Sequence, residues 1–194
     1  MAPEVPGTLQ ALLSRRSVSA LQLCEPGPSA GEIDLAIDAA LSAPDHGALN
    51  PLRLVLVRGA ARARLSALFV ARMQQRDPGI PEGKIEKARR MPLSAPLVIV
   101  VGARVLHAHK VPEVEQLLAA GAGVMNLLNA FHDQGYGAIW LTGDNAYDSQ
   151  IARALQFASD ERCLGFVYVG SIKDPDGDKP RRRDRIPVVR EWGG

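Results

Sequence analysis

The sequence predicts an α+β fold, a sandwich of helices around a central mixed sheet. Segments with helical apolar spacing alternate with short apolar runs rich in valine and leucine along the 194 residues. Hydrophobic residues make up 46% of the chain and charged residues 23%, a balance typical of a globular domain of ordinary size. Because no internal repeat divides the chain, we expect one domain over residues 1–194, with residues 171–194 as a C-terminal arm.

Strong end signals define the first two helices. Thr8 can cap a short helix through Leu13, and the tripeptide Arg15-Arg16-Ser17 lies at the exit of that helix. Residues 29–32, with the sequence Ser-Ala-Gly-Glu, form a capping box. Apolar residues then recur at helical spacing until Ala43-Pro44, which predicts a second helix between these two signals.

Two apolar segments predict the central strands. Residues 52–57 and residues 95–101 are rich in valine, leucine and isoleucine, and the first is expected to be buried on most of its surface. A helix over about residues 60–73 follows the first strand. Beyond a turn at residues 77–79, the charged stretch to Arg90 lacks a sustained apolar face. That stretch predicts a surface helix within a mobile excursion, which can border a site.

The longest helix is predicted from Pro112 to about Gln134. Its apolar residues cover more than one stripe, with small residues at 119–123 between them. We therefore expect it to be buried nearly all round and to form a subunit interface. The remaining predicted elements are a strand over residues 138–141, a helix over residues 149–157 and a strand over residues 164–169.

Composition and spacing argue against several classes of protein. The formal net charge of only +2 argues weakly against a nucleic-acid partner. Cys24 and Cys163 lie far apart and the four histidines are scattered, so no metal site is predicted. The longest apolar runs are far shorter than the roughly 20 residues of a membrane-spanning helix, and the N-terminus does not resemble a secretion signal. We expect a cytoplasmic protein without membrane contact.

The tripeptide Arg15-Arg16-Ser17 is the first candidate for binding chemistry. Flavin mononucleotide (FMN) needs cationic partners for its phosphate, donors near the pyrimidine edge of its ring, and apolar cover. Two adjacent arginines on a loop can diverge to meet the first two needs, and the serine hydroxyl adds a donor. Alone, however, such a tripeptide is more often a solvated helix end that complements the helix dipole.

A set of ordered matches from about residue 9 to residue 172 makes the tripeptide informative. The matching segments are Leu12 to Ser17, Ala43-Pro44-Asp45-His46, Asn50-Pro51, His109 to Pro112, Glu115-Gln116, Ala120-Gly121, Gln134 to Trp140 and Gly165 to Gly170. With these segments the chain resembles the flavin-dependent nitroreductase family, and most closely its small bacterial members. The resemblance implies a three-layer α/β/α sandwich and a homodimer.

The resemblance also implies roles for particular residues. Arg15, Arg16 and Ser17 are expected to bind the phosphate and the ring edge of FMN. Ser42 and His46 would approach the same cofactor from the end of the second helix, and Trp140, Leu141 and Thr142 would line its other side. No metal and no side-chain nucleophile are expected, so no residue is assigned a catalytic role.

Alternatives remain open for three of these features. A lone histidine such as His46 is more often a surface or structural residue, and Trp140 can be a core aromatic that offers FMN only its backbone. The basic tail can be a solvated charge run, a contact for nucleic acid or another anionic surface, or an arm. In the last case, by family resemblance, Arg183 and Arg185 reach an FMN phosphate, and Arg185 is our candidate.

The chain departs from the family pattern at three positions. Close relatives carry arginines where this chain has Ser42 and Leu141, so two positive side chains are missing. Their loss affects either the affinity for FMN or the binding of a negatively charged second substrate. Leu52 replaces the aromatic residue usual after the Asn/Gln-Pro pair. The pocket is therefore expected to be less aromatic and to admit different substrates.

The predicted function is hydride transfer from NAD(P)H, through FMN, to a nitroaromatic, quinone or similar small-molecule acceptor. No glycine-rich dinucleotide loop is present, so NAD(P)H is expected as a transient substrate and not as a resident cofactor. The rival hypothesis is a flavin- or anion-binding interaction protein without turnover, which the two missing charges and the basic arm favour. Both hypotheses predict a dimer.

Overall fold

A computed structural model describes residues 7–175 and 189–192. In that part of the chain the helices are α1 (Gly7–Ser14), α2 (Ala30–Leu41), α3 (Ala61–Arg76), α4 (Glu82–Arg90), α5 (Glu113–Asp133) and α6 (Ser149–Ala154). The strands are β1 (Leu23–Cys24), β2 (Leu52–Arg58), β3 (Leu97–Arg104), β4 (Gly137–Leu141) and β5 (Glu161–Ile172). None of the described helices is long and apolar enough to cross a membrane.

The sheet is built around β3 and β5, and every pairing in the described residues is antiparallel. Strand β3 pairs with β2 and β5, while β4 and β1 also pair with β5. The expected mixed sheet is therefore wrong for this part of the chain. The reason lies in the excursion between β2 and β3, where Ser66 near the start of α3 donates to the carbonyl of Arg89 at the end of α4. Helices α3 and α4 run antiparallel and return the chain to the C-terminal end of β2. Strand β3 therefore runs antiparallel beside β2.

Helices cover both faces of the sheet, which confirms the three-layer arrangement. Strand β3 is buried from Leu97 to Ala103, and its alternate residues point to opposite faces. Val98 and Val100 join a core formed with α3, α4 and α6, whereas Ile99 and Val101 join a second core formed with α2 and α5. We call these the α3/α4 side and the α2/α5 side of the sheet.

Most predicted elements are present within a few residues, and the capping box of α2 is formed by Ser29 and Glu32. Two expectations about burial are wrong. Strand β2 lies at an edge of the sheet, so of its residues only Val57 is buried. Helix α4 has an apolar face, because Ile85 and Ala88 pack beneath it. Helix α6 ends at Ala154, earlier than expected, because Phe157 leaves the helix to pack in the core.

Helix α5 is buried on one side only. The side that faces α2 and the sheet carries Gln116, Ala120, Gly123, Val124, Leu127, Leu128 and Phe131. On the opposite side, Val114, Leu118 and Met125 are 60%, 66% and 40% exposed. The expectation that this helix is buried all round is therefore wrong for the single chain, which leaves an apolar stripe uncovered.

Candidate functional site

A cavity of about 610 Å³ beside α6 contains none of the predicted site residues that the structure describes. A second cavity, of about 520 Å³, lies on the α3/α4 side of the sheet at the end of β4, and we call it the large cavity of the candidate site. Its volume is in the range of about 300–1,000 Å³ that is typical of small-ligand sites. Leu141 and Thr142, two of the predicted site residues, lie in its wall. The other lining residues are Phe69, Met73, Arg76, Lys84, Lys87, Ala88, Met91, Gly143, Asp144, Asn145, Phe166 and Tyr168.

The base of this cavity is apolar and aromatic. Phe69 of α3 and Phe166 of β5 meet edge to face, with ring centroids 4.9 Å apart. Tyr168 is buried beside them, and burial raises the pKa of its phenol far above the ordinary value of 10. Because Tyr168 stays neutral at physiological pH, it offers the cavity a flat apolar surface and no negative charge.

The loop after β4 is held against α3 by a partly buried ion-pair network. Arg76 donates to the side-chain oxygen of Asn145 at 2.7 Å and pairs with Asp148, whose side chain is only 3% exposed. Asp148 also accepts from Arg72 at 3.0 Å and from the first backbone amides of α6. These contacts fix the position of Thr142, Gly143 and the residues that follow them.

Two lysines of α4 also line the cavity, and the sequence analysis did not assign them. Lys84 and Lys87 are one helical turn apart and therefore lie on the same face of α4. The signal that could have found them is the pattern of this helix, in which Ile85 and Ala88 anchor one side and place the lysines beside it. The expectation that this segment borders a site is consistent with their position.

The tripeptide Arg15-Arg16-Ser17 follows α1 directly, as expected, and two of its residues border one smaller cavity. Arg16 and Ser17 line a cavity of about 200 Å³, together with Val18, Ser19, Gln22, Ile172 and Asp174. Arg16 also donates to the backbone carbonyl of Pro175 at 3.4 Å. The Nε atom of Arg15 is buried and has no hydrogen-bond partner among the described residues. A buried donor of this kind is uncommon in a native protein and needs an explanation.

A further cavity adjoins the large cavity. It has a volume of about 350 Å³ and shares Lys87 and Met91 with the large cavity. Leu21, which also lines it, precedes Gln22 in the sequence, and Gln22 lines the small cavity beside Arg16. These two cavities share no lining residue among those that the structure describes.

Ser42 and His46 lie on the α2/α5 side of the sheet. The Ser42 hydroxyl donates to the carbonyl of Ala39 at 2.7 Å, and Ser42 borders a groove of about 460 Å³ between α1, α2 and α5. His46 is exposed and its Nδ1 lies 2.6 Å from Glu115 at the start of α5. Within one chain the sheet separates both residues from Leu141 and Thr142.

The side chain of Trp140 also points away from the large cavity. Its neighbour Leu141 contributes to the core on the α3/α4 side, and successive strand residues alternate between faces. The indole Nε1 donates to the carbonyl of Leu164 at 3.0 Å. Only the backbone of Trp140 is thus near the cavity wall. Arg185, the remaining predicted site residue, lies outside the described residues.

Solved structures with the same fold are found at low sequence identity. A nitroreductase-like family protein from Bacillus cereus superposes with a TM-score of 0.80, at 19% identity and with 100% of each chain covered. A nitroreductase from Desulfovibrio desulfuricans, solved in complex with FMN, gives a TM-score of 0.75 at 22% identity, with 99% of each chain covered. The fold is therefore that of the nitroreductase-like proteins.

Sequence comparison identifies the family. The family model described as "Nitroreductase family" matches residues 12–171. The Escherichia coli K12 protein YdjA, named as an NAD(P)H nitroreductase, is 34% identical over 163 residues, which cover 84% of this chain and 87% of YdjA. The chain belongs to the nitroreductase family and is an oxidoreductase, as the sequence analysis expected.

Proposed function

We propose that this protein transfers electrons from NAD(P)H, through FMN, to a nitroaromatic, quinone or similar acceptor. The observation that carries the proposal is the buried Nε of Arg15, which has no partner among the described residues and precedes two residues, Arg16 and Ser17, that line a cavity. A phosphate oxygen is the partner that a buried guanidinium of this kind favours. The FMN complex of the Desulfovibrio protein and the name of YdjA support this assignment.

The residues present fit the cofactor. Arg15, Arg16 and Ser17 would hold the phosphate and the pyrimidine edge of the ring at one end of the site. Leu141 and Thr142 would lie beside the ring at the other end, where Phe166 and Tyr168 provide apolar cover. When bound, FMN supplies the two-electron chemistry, and the protein supplies position and positive charge.

The proposed FMN site is completed by a second subunit. His46 contacts Glu115 at the start of α5, whereas Ser14, next to Arg15, contacts His132 in its last turn. These two points are about 25 Å apart along the helix axis. We therefore assign His46 of the partner subunit, and not that of the same chain, to each FMN site. Ser42 lies nearer the tripeptide of its own chain, because it borders a groove with Ala11 and Leu12 of α1.

The exposed apolar stripe of α5 supports the homodimer. Val114, Leu118 and Met125 lie on one face of the helix, and Leu13 of α1 and Leu35 of α2 are 69% and 63% exposed. Several large apolar side chains exposed on α1, α2 and α5 favour an interaction site. A second copy of the chain, with the same stripe, would cover it symmetrically.

The other parts of the proposal concern the chain outside the site. We treat residues 1–194 as one FMN-binding domain, with residues 171–194 as an arm whose Arg185 reaches an FMN phosphate. Trp140 contributes backbone groups, in agreement with the outward direction of its side chain. The protein acts in the cytoplasm, and NAD(P)H is a transient substrate of the same site.

The test is the visible spectrum of the purified protein loaded with FMN under anaerobic conditions. Addition of NADH or NADPH is expected to bleach the flavin bands, and a quinone or nitro compound is expected to restore them. If flavin binds but is never reduced, the result would favour the rival hypothesis of an interaction protein without turnover. A protein that takes up no FMN would contradict the proposal.

The dimer is tested by a single charge on the stripe. Leu118→Asp is expected to give a monomer in light scattering and to weaken FMN binding at the same time, because half of each site is lost. Leu56→Asp places the same charge on a partly exposed leucine of the edge strand β2 and serves as the control. A Leu118→Asp protein that stays dimeric, or a monomer with unchanged FMN affinity, would contradict the shared site.

A further inference from the structure

Lys84 and Lys87 place two positive charges at the edge of the large cavity. Both side chains are exposed and lie on the cavity-lining face of α4. The neighbouring residues Glu86 and Arg89 neutralise each other in an ion pair one turn apart. Within residues 7–175 and 189–192, neither ammonium group has a hydrogen-bond or ion-pair partner. The two ammonium groups are therefore available to a ligand.

The other charges around the cavity leave an excess of positive charge. Arg72 and Arg76 share one carboxylate, that of Asp148, so this group retains one positive charge. Asp144 is the acidic residue in the cavity wall that has no ion-pair partner among the described residues, and it opposes one lysine. A ligand in this cavity thus meets a net positive rim above an aromatic base.

We infer that Lys84 and Lys87 select aromatic acceptors that carry a negatively charged group. Because Phe166 and Tyr168 of the aromatic base are the cover proposed for the flavin ring, a flat acceptor would stack on that ring from the edge of the cavity. The lysines at this edge suit a carboxylate or sulfonate that the acceptor carries. The inference rests on the proposed function, since it concerns the acceptor of the same site.

Reduction of a nitro group on such an acceptor needs no reactant other than NAD(P)H and solvent protons. A nitro group that becomes a nitroso group takes up two electrons and two protons and loses one oxygen as water. The electrons come from NAD(P)H through the bound flavin, and at least one proton comes from solvent. The lysines act on substrate binding and take no part in this transfer.

The inference is tested with 4-nitrobenzoate and its neutral analogue 4-nitrobenzamide. Dissociation constants are measured by calorimetry on the oxidised FMN-loaded protein, in which no electrons are available for turnover. Rate constants are measured separately by reducing the flavin with dithionite and following its reoxidation by each acceptor. The wild-type protein is compared with Lys84→Met/Lys87→Met, and with Lys110→Met, which removes an exposed lysine outside the cavity.

Wild-type protein is expected to bind 4-nitrobenzoate more tightly than 4-nitrobenzamide. Its reduced flavin is also expected to be reoxidised faster by 4-nitrobenzoate. The double variant is expected to lower this preference about fivefold to tenfold, as two solvent-exposed ion pairs allow. Increasing salt is expected to weaken the wild-type preference, and Lys110→Met is expected to preserve it. An unchanged preference in the double variant overturns the inference alone. Absence of bound flavin, or flavin that no acceptor reoxidises, overturns the proposed function as well.

Discussion

Ser14 and His132 connect the two elements that the proposed site depends on, with Ser14 Oγ 2.9 Å from Nε2 of His132. Ser14 ends α1 immediately before Arg15, and His132 lies in the last turn of α5. This contact sets the position of the arginine tripeptide relative to the helix that carries the apolar stripe. Subunit contact and cofactor affinity are therefore expected to depend on each other.

The first prediction concerns the pH dependence of stability through His132. Burial and then the positive charges of Arg15 and Arg16 lower its pKa below 6.5, although Asp133 opposes them. Below pH 6.5 the unfolded chain binds a proton that the folded protein does not, so stability is lost as the pH falls. We expect His132→Gln to reduce the loss of Tm between pH 7.5 and pH 5.5. An equal loss of Tm in the wild type and in His132→Gln would contradict this role of His132.

The second prediction concerns Asp148, which is almost fully buried. Burial alone would raise its pKa, but hydrogen bonds from Arg72, Arg76 and two backbone amides lower it below 3.8. Its contribution to stability is present above that value and is lost as the pH falls through the folded pKa. Asp148→Asn is expected to cost about 3 kcal/mol in denaturant unfolding at pH 7. Asp160→Asn, which breaks a half-exposed pair with Arg104, is expected to cost much less than Asp148→Asn.

The third prediction concerns Gly165, where β5 passes beneath Trp140. Its φ of +132° and the lack of space both require glycine, because a Cβ would lie 2.5 Å from the carbonyl oxygen of Leu141 and 2.6 Å from Trp140 Nε1. Gly165→Ala is expected to cost about 2 kcal/mol or more and to shift the fluorescence of Trp140 in a Trp192→Phe background. Gly31→Ala, in the open face of α2, is expected to stabilise by about 0.5–1 kcal/mol. Equal stability of the two variants would contradict the close contact.

The elements of the fold could be predicted because their signals are local. The capping box of Ser29 and Glu32 and the valine-rich core of β3 each fix one element without reference to the rest of the chain. Strand direction could not be predicted in the same way, since it depends on the number of helices in each connection. The edge position of β2 was also missed, because an apolar run does not show whether the strand has one neighbour or two.

The site was only partly predictable for a different reason. Leu141 and Thr142 do line the large cavity, but Lys84 and Lys87 reach it only through the packing of Ile85 and Ala88 on the core. No local motif contains that information. The sequence also could not show that Ser42 and His46 lie across the sheet from the cavity, and a second subunit enters the proposal because of His46. The assignments to FMN remain predictions.

The most direct measurement of the central claim is the FMN dissociation constant of Arg15→Ala. A guanidinium that bonds a phosphate contributes about 1.5–3 kcal/mol, so the dissociation constant is expected to rise about 10- to 150-fold. Arg64→Ala, which removes an exposed arginine of α3, is expected to leave it within about twofold of the wild type. Fluorescence quenching of FMN on titration with each protein gives both values. Arg15→Ala protein that binds FMN as tightly as the wild type would contradict the account.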